Sequence, residues 1–264
     1  MLVIPEIHRS PEEVGQALAA PIADGIAAAR RQGRRYLLGC PAGRSALPVY
    51  RALAEQVRER GLDVSHVVLV LMDDYLEPAA GGRVPEQLPY SCTGFARRQI
   101  AEPLRRATGS APEVWVPEPD DPAGYDQRIR AAGGIDLFIL ASGASDGHVA
   151  FNPPGSPRES TTRVVRLSDA TRLDNLATFP EFDSLAAVPA FGVSVGISTI
   201  ADQSRQAVMV LHGADKARAY QRLRAATGYQ PDWPATVVTA CRSPRILADL
   251  AASTPVPSPQ TLEG

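Results

Sequence analysis

Apolar residues along the chain follow two rhythms that alternate. Near the N-terminus Val14, Leu18, Ile22 and Ile26 recur every four positions, which places them on one face of a helix. Ser10 ahead of that stretch, Pro11 at its first position and Glu13 three residues after Ser10 form the start signal of a capping box, and Pro21 is expected to kink the helix. RYLLGC (35–40), a glycine turn, a helical stretch through ALPVYRALAEQVRER and HVVLVLM (66–72) then read as one strand-helix-strand unit. Further runs of strand length are EVWVP (113–117), IDLFILA (135–141), TRVVRL (162–167), FGVSV (191–195), QAVMVLH (206–212) and ATVVTAC (235–241). Helical stretches are expected at 89–107, 122–132, 214–226 and 244–252. Strands apolar on both faces and separated by helices imply an α/β fold: a Rossmann-like, doubly wound, mostly parallel sheet with helices on both faces, in a single domain spanning 1–252. STPVPSPQTLEG (253–264) reads as a disordered tail.

Charge and composition narrow the partners. A net charge of −2 offers no field for nucleic acid or an anionic membrane. No apolar run approaches the ~20 residues that span a bilayer, and the start MLVIPEIHRSPEE lacks a signal-peptide profile, so a cytoplasmic protein is expected. Cys40, Cys92 and Cys241 are odd in number and far apart, which suggests reduced thiols rather than a disulfide framework or a metal site. Of the 27 lysines and arginines only Lys216 is lysine. Such a skew fits a coding bias that turned interchangeable lysines into arginines, with Lys216 the exception.

In doubly wound sheets the ligand lies beyond the carboxyl ends of the strands, so the residues after each strand are the informative ones. PAGRSA (41–46) fits a phosphate cradle, with Gly43 allowing close backbone approach and Ser45 capping a helix; an ordinary strand-to-helix turn fits as well. Asp73 and Asp74 follow the second run. Adjacent side chains of an extended stretch point opposite ways, so one of the two should face the cleft. After IDLFILA, glycines surround Asp146 and His148, and a histidine behind a carboxylate in such a loop is a candidate acid/base. GADKAR places Lys216 in the first turn of a helix.

Taken together, LGCPAGRSALPVYRAL, LMDDYLEP, IDLFILASGASDGHVAFNPPGS, TTRVVRLSDATRLDN and GVSVGISTIADQSRQAVMVLHGADKARAY resemble the glucosamine-6-phosphate deaminase (isomerase) family, in unbroken order from about residue 36 to about 226. This family belongs to a sugar-phosphate isomerase superfamily shared with 6-phosphogluconolactonases. The resemblance implies that Asp73 moves a proton between C1 and C2 of the open-chain sugar, which needs a carboxylate of near-neutral pKa. It implies that His148 opens the pyranose ring, that Asp146 orients His148, and that Lys216 contacts phosphate, a role its compact ammonium fills and a guanidinium does not.

The sequence also departs from the family pattern. The loop that usually reads Pro-Thr-Gly-(Gly/Ser)-Thr-Pro is Pro41-Ala42-Gly43-Arg44-Ser45-Ala46, and the family's phosphate-binding arginine falls at Ala177, a charge that Arg44 could supply from the opposite side. The glutamate of the family's Asp-His-Glu triad is Pro153, and Asp74 stands where the family has glutamate. Arg163 matches an arginine of the allosteric amino-sugar site, but the flanking basic position is Val165, which argues against that control. The candidate set is therefore Asp73, Asp146 and His148 for catalysis and Gly43, Arg44, Ser45, Asp74, Gly143 and Lys216 for binding sugar or phosphate, with no metal and no cofactor. The expected function is an aldose–ketose isomerase/deaminase acting on an amino sugar or its phosphate. The alternatives are a 6-phosphogluconolactonase-type hydrolase, against which Tyr75 stands where lactonases have arginine, and a weakened sugar-phosphate-binding regulator. The expected partner is a small-molecule sugar or sugar phosphate, with no nucleic acid and no membrane; self-association stays open.

Overall fold

The computed structural model describes residues 2–77 and 81–254. The strands are β1 (Glu6–His8), β2 (Tyr36–Cys40), β3 (Val67–Leu71), β4 (Asp73–Tyr75), β5 (Glu113–Trp115), β6 (Leu137–Leu140), β7 (Arg163–Arg166), β8 (Phe191–Ser194), β9 (Ala207–Leu211) and β10 (Pro244–Asp249). The helices are α1 (Pro11–Arg31), α2 (Leu47–Glu59), α3 (Cys92–Ala96), α4 (Glu102–Thr108), α5 (Pro122–Ala131), α6 (Asp169–Thr178), α7 (Ile197–Gln203), α8 (Ala217–Ala225) and α9 (Leu250–Ser253).

Among the described residues, seven strands form one sheet in the order β1-β10-β9-β6-β2-β3-β5, and every pairing in it is parallel. From β2 the chain first winds outward through β3 to β5, then returns to β6 on the other side of β2 and winds outward again. Connections therefore diverge between β2 and β6, the switch point at which doubly wound sheets hold their ligands. Alternate residues feed opposite layers. Leu37, Val68, Val70, Phe138 and Leu140 join one core with residues of α5, α7 and α8, while Leu38, Leu69, Leu71, Leu137 and Ile139 join the other with α1, α2 and α4. Burial on both faces is why these strands read as continuous apolar runs. Gly39 in β2 is required by this packing, because a Cβ there would lie 2.0 Å from the Phe138 ring.

Ser10 caps α1 by accepting from Glu13 N at 3.3 Å, but the Glu13 carboxylate accepts from Arg9 N at 2.9 Å, one residue earlier than in a capping box. The helix continues through Pro21. The stretch expected as one helix at 89–107 is α3, a wide π-helical turn over Arg97–Ala101, and α4. The wide turn precedes Pro103, which has no N–H to place in an α-helical ladder.

Three expectations are corrected. TRVVRL and FGVSV do not enter the parallel sheet. They form β7 and β8, which join β4 in a separate antiparallel sheet of order β4-β8-β7. ATVVTAC is not a strand but a 3-10 helix, Pro234–Ala240. Its threonines bond locally, Thr236 Oγ1 to Trp233 O at 2.7 Å and Thr239 Oγ1 to Thr236 O at 2.8 Å, while its apolar side chains are buried. Residues 244–252, expected as a helix, open with β10, inserted between β9 and β1; Ile246, Leu247 and Ala248 are buried on both faces. A short apolar run with no polar face carries no period that distinguishes the two. Ser253 and Thr254, at the start of the expected tail, close α9, with Thr254 N donating to Leu250 O; the remainder of that tail, 255–264, lies outside the described residues.

Candidate active site

A cleft of about 710 Å³ opens at the carboxyl edge of the sheet. Four loops supply its floor: Pro41–Ser45 after β2, Met72 and Asp73 after β3, Ala141–Ala144 with His148 after β6, and residues of His212–Lys216 after β9. These strands are consecutive in the sheet, so residues more than 170 apart in sequence converge because of topology alone. One wall is α6; another is aromatic, with Tyr75 packed on Phe151 at 4.7 Å between ring centroids.

Asp73 and Asp74 separate as their alternation requires. Asp73 lines the cleft and Asp74 does not. Burial pushes the Asp73 carboxyl up to about 7; the neighbouring Cys92 thiol and the charge of His148 act the other way, while the charge of Asp74 adds to the rise. Asp74, expected among the substrate contacts, is fully buried behind it. Its carboxylate accepts from Tyr75 N and Cys92 N at 2.9 Å, from Thr93 N at 3.0 Å and from the Thr93 hydroxyl. It anchors the start of α3, the turn that carries the Cys92 thiol near Asp73.

His148 and Asp146 form a pair. Nδ1 of the imidazole lies 2.7 Å from Asp146 Oδ1, and His148 N donates to the same oxygen at 3.1 Å. Burial acts to raise the Asp146 carboxyl, but the hydrogen bond and charge of His148 and the hydroxyl of Ser168 outweigh it and hold the group below the usual carboxylate range. Gly143 packs close against the pair. A Cβ there would fall 2.2 Å from His148 Nδ1, so glycine is what lets the imidazole sit in this loop.

Lys216 and Arg44 approach from two loops of similar build. Each loop places a glycine of positive φ, Gly43 at 100° and Gly213 at 87°, before a 3-10 turn that leads into a helix. Lys216 Nζ donates to Ser142 O at 2.8 Å, and burial lowers its pKa, with Arg44 adding like-charge repulsion and Asp215 and Asp174 opposing. Gly43, Arg44, Ser45 and Gly143 all line the cleft. Ser45 presents its carbonyl to His212 Nε2 at 3.1 Å and does not cap the next helix.

Ala177 lines the cleft, but Pro153 and Arg163 do not. The Pro153 carbonyl accepts from Ser156 N and Oγ, and Arg163 Nη1 donates to Asn152 Oδ1 at 2.9 Å. Among the described residues there is no group of three or more His, Cys, Asp or Glu placed to hold a metal ion, and no helix is long and apolar enough to cross a membrane. Cys92, Ser168 and Thr171 are among the residues at the site that the sequence does not single out. Cys92 lies next to Asp73 only through the anchoring of α3. Ser168 and Thr171 carry the usual signal of a helix start, a serine ahead of an apolar-periodic stretch, in a segment assigned no helix.

An open parallel sheet with titratable side chains gathered at its switch point is the layout of a doubly wound enzyme for a small polar substrate. Comparison with known proteins gives the family. Residues 9–247 match the model of glucosamine-6-phosphate isomerases/6-phosphogluconolactonase, and the chain belongs to that family. It is 34% identical to the glucosamine-6-phosphate deaminase of Rhodococcus jostii (strain RHA1) over 255 residues, 94% of this chain and 90% of that one. It is 37% identical to that of Arthrobacter sp. (strain FB24) over 207 residues, 76% of this chain and 75% of that one. Among solved structures, a monomeric glucosamine-6-phosphate deaminase superposes with a TM-score of 0.81 at 25% identity, covering 96% of this chain and 98% of that one. A 6-phosphogluconolactonase from Shewanella baltica OS155 superposes with a TM-score of 0.67 at 16% identity over 94% of this chain and 100% of that one, which is a likeness of fold.

Proposed function

We propose that the protein is an amino-sugar-phosphate isomerase/deaminase that opens the pyranose ring and moves a proton between C2 and C1. The observation that carries this reading is Asp73, a buried carboxyl whose pKa of about 7 lets it both accept and return a proton, in one cleft with His148, which Asp146 backs from behind the lining. His148, its Nδ1 committed to Asp146, offers Nε2 to take the proton of the anomeric hydroxyl and deliver it to the ring oxygen. Asp73 then removes the C2 proton of the open-chain amino sugar and returns it to C1. The resulting C2 imine adds water and releases ammonia, leaving the ketose. Relatives named glucosamine-6-phosphate deaminase support this assignment of substrate and reaction.

Incubation with glucosamine 6-phosphate in deuterated water is expected to release ammonia and wash deuterium into C2 of recovered substrate. Turnover of 6-phosphogluconolactone without either signal would give the lactonase reading instead. Arg44 and Lys216 support recognition of a phosphate, the exposed guanidinium standing in for the charge absent at Ala177. Arg44→Ala and Lys216→Ala are each expected to raise KM for the phosphorylated sugar roughly tenfold, the loss of one charge-assisted contact, and to leave KM for the unphosphorylated sugar unchanged. Equal losses on both sugars would remove the two residues from phosphate recognition.

A further inference from the structure

We propose that Thr171, backed by Ser168, is a positioning residue for His148, so that the imidazole is set in place by the start of α6 as well as by its own loop; this rests on the reading of His148 given above. Thr171 is buried, and its Oγ1 lies 3.1 Å from His148 Nδ1, 3.2 Å from Asp146 Oδ2 and 2.9 Å from Ser168 Oγ. Ser168 Oγ donates to Asp146 Oδ2 at 2.8 Å and accepts from Thr171 N at 3.1 Å as the cap of α6. Four groups from two elements thus share one network.

The protons in that network have few places to go. The ionised carboxylate of Asp146 has none to give, and the Ser168 hydroxyl donates to Oδ2. The Thr171 hydroxyl donates to Oδ2 or to Ser168, which leaves a lone pair toward Nδ1. Facing two acceptors, Nδ1 must carry hydrogen, so the neutral imidazole presents an unprotonated Nε2. Asp146 alone would orient the ring less firmly, because it is two residues away on the same loop with Gly147 between them. Thr171 arrives from 23 residues away on a separate element, and Ser145 Oγ ties that loop to α6 a second time through Asp174 Oδ2 at 2.9 Å. Since Asp174 and Asn175 of α6 also line the cleft, a substrate resting on this helix bears on the same network that aims the histidine.

Thr171→Val keeps the branched shape and removes the hydroxyl; Thr171→Ser keeps the hydroxyl. The valine variant is expected to lose kcat by roughly ten- to a hundredfold with KM within about twofold, as misaimed catalytic groups do, while the serine variant retains most activity. The His148 Nδ1 proton, followed by NMR of imidazole-labelled protein, is expected as a slowly exchanging resonance in wild type and Thr171→Ser and as a lost or rapidly exchanging one in Thr171→Val. An unchanged resonance and kcat in Thr171→Val would overturn the proposal, as would equal damage in both variants. The resonance does not depend on turnover. If wild type processes no amino sugar yet the resonance separates valine from serine, the positioning role stands and the proposed reaction falls.

Discussion

Asp73→Asn is expected to lower turnover about 10³-fold, the scale of losing a general base, while making the folded protein more stable in mildly alkaline buffer. Both effects come from the burial that raises this carboxyl to about 7. Below about pH 4 the group is neutral in the folded and unfolded chains, and no penalty exists. Between there and about 7 the unfolded chain ionises while the folded one holds its proton, so stability falls as pH rises. Above about 7 the folded carboxylate is ionised too and the whole cost is present. About three units between the two pKa values correspond to roughly 4 kcal/mol as an upper bound. The amide has no such slope, since it never ionises. Urea denaturation at about pH 5 and pH 8 should show wild type losing stability between them through this site, with the loss reduced in Asp73→Asn by a few kcal/mol. The rising limb of kcat near neutrality should vanish in the variant. An asparagine enzyme that still exchanges the C2 proton at a comparable rate would remove Asp73 from the chemistry.

The legibility of the site follows from how its parts are held. Asp73, Asp146, His148 and Lys216 sit at the ends of strands whose apolar runs are continuous, and topology carries those ends to one edge, so reading the residue after each run finds them. The alternation argument also holds for Asp73 and Asp74, although Asp74 then belongs to a scaffold instead of the cleft. What is contributed by packing is not written in that way. Cys92 reaches Asp73 because Asp74 accepts from its amide, and Thr171 reaches His148 because α6 starts at Ser168; neither contact has a spacing that announces it.

The fold shows the same division. The runs in β2, β3, β6 and β9 are apolar on both faces and give strands wherever helices cover both sides. The segments 235–241 and 244–252 are short and apolar without a period, and there the partner decides. Pro234 and two locally bonded threonines turn the first into a 3-10 helix, whereas a vacant sheet position between β9 and β1 extends the second. The separate antiparallel sheet of β4, β8 and β7 is not legible in TRVVRL and FGVSV, because strand character says nothing of which sheet a strand joins.

Asp74→Ala is expected to destabilise the protein by about 3–5 kcal/mol, far more than a surface carboxylate would, because it strands donors at a fully buried position. Two backbone N–H groups at the start of α3, the N–H of Tyr75 and the Thr93 hydroxyl all lose their partner at once. Ser91 still accepts from Gly94 N at 3.1 Å, so α3 keeps one cap, and the damage should concentrate at Cys92 and Thr93. The Cys92 thiol would then shift relative to Asp73, and Thr93 would lose the orientation in which it accepts from Arg83 Nη1 at 3.0 Å. The expected pattern is a lower urea midpoint together with reduced kcat in the protein that remains folded, where Asp73→Asn gives the reverse stability change. Asp74→Asn should fall between wild type and alanine, since one amide oxygen still accepts while the amide nitrogen faces donors. An alanine variant with the urea midpoint and kcat of wild type would show that the buried carboxylate holds neither α3 nor the thiol in place.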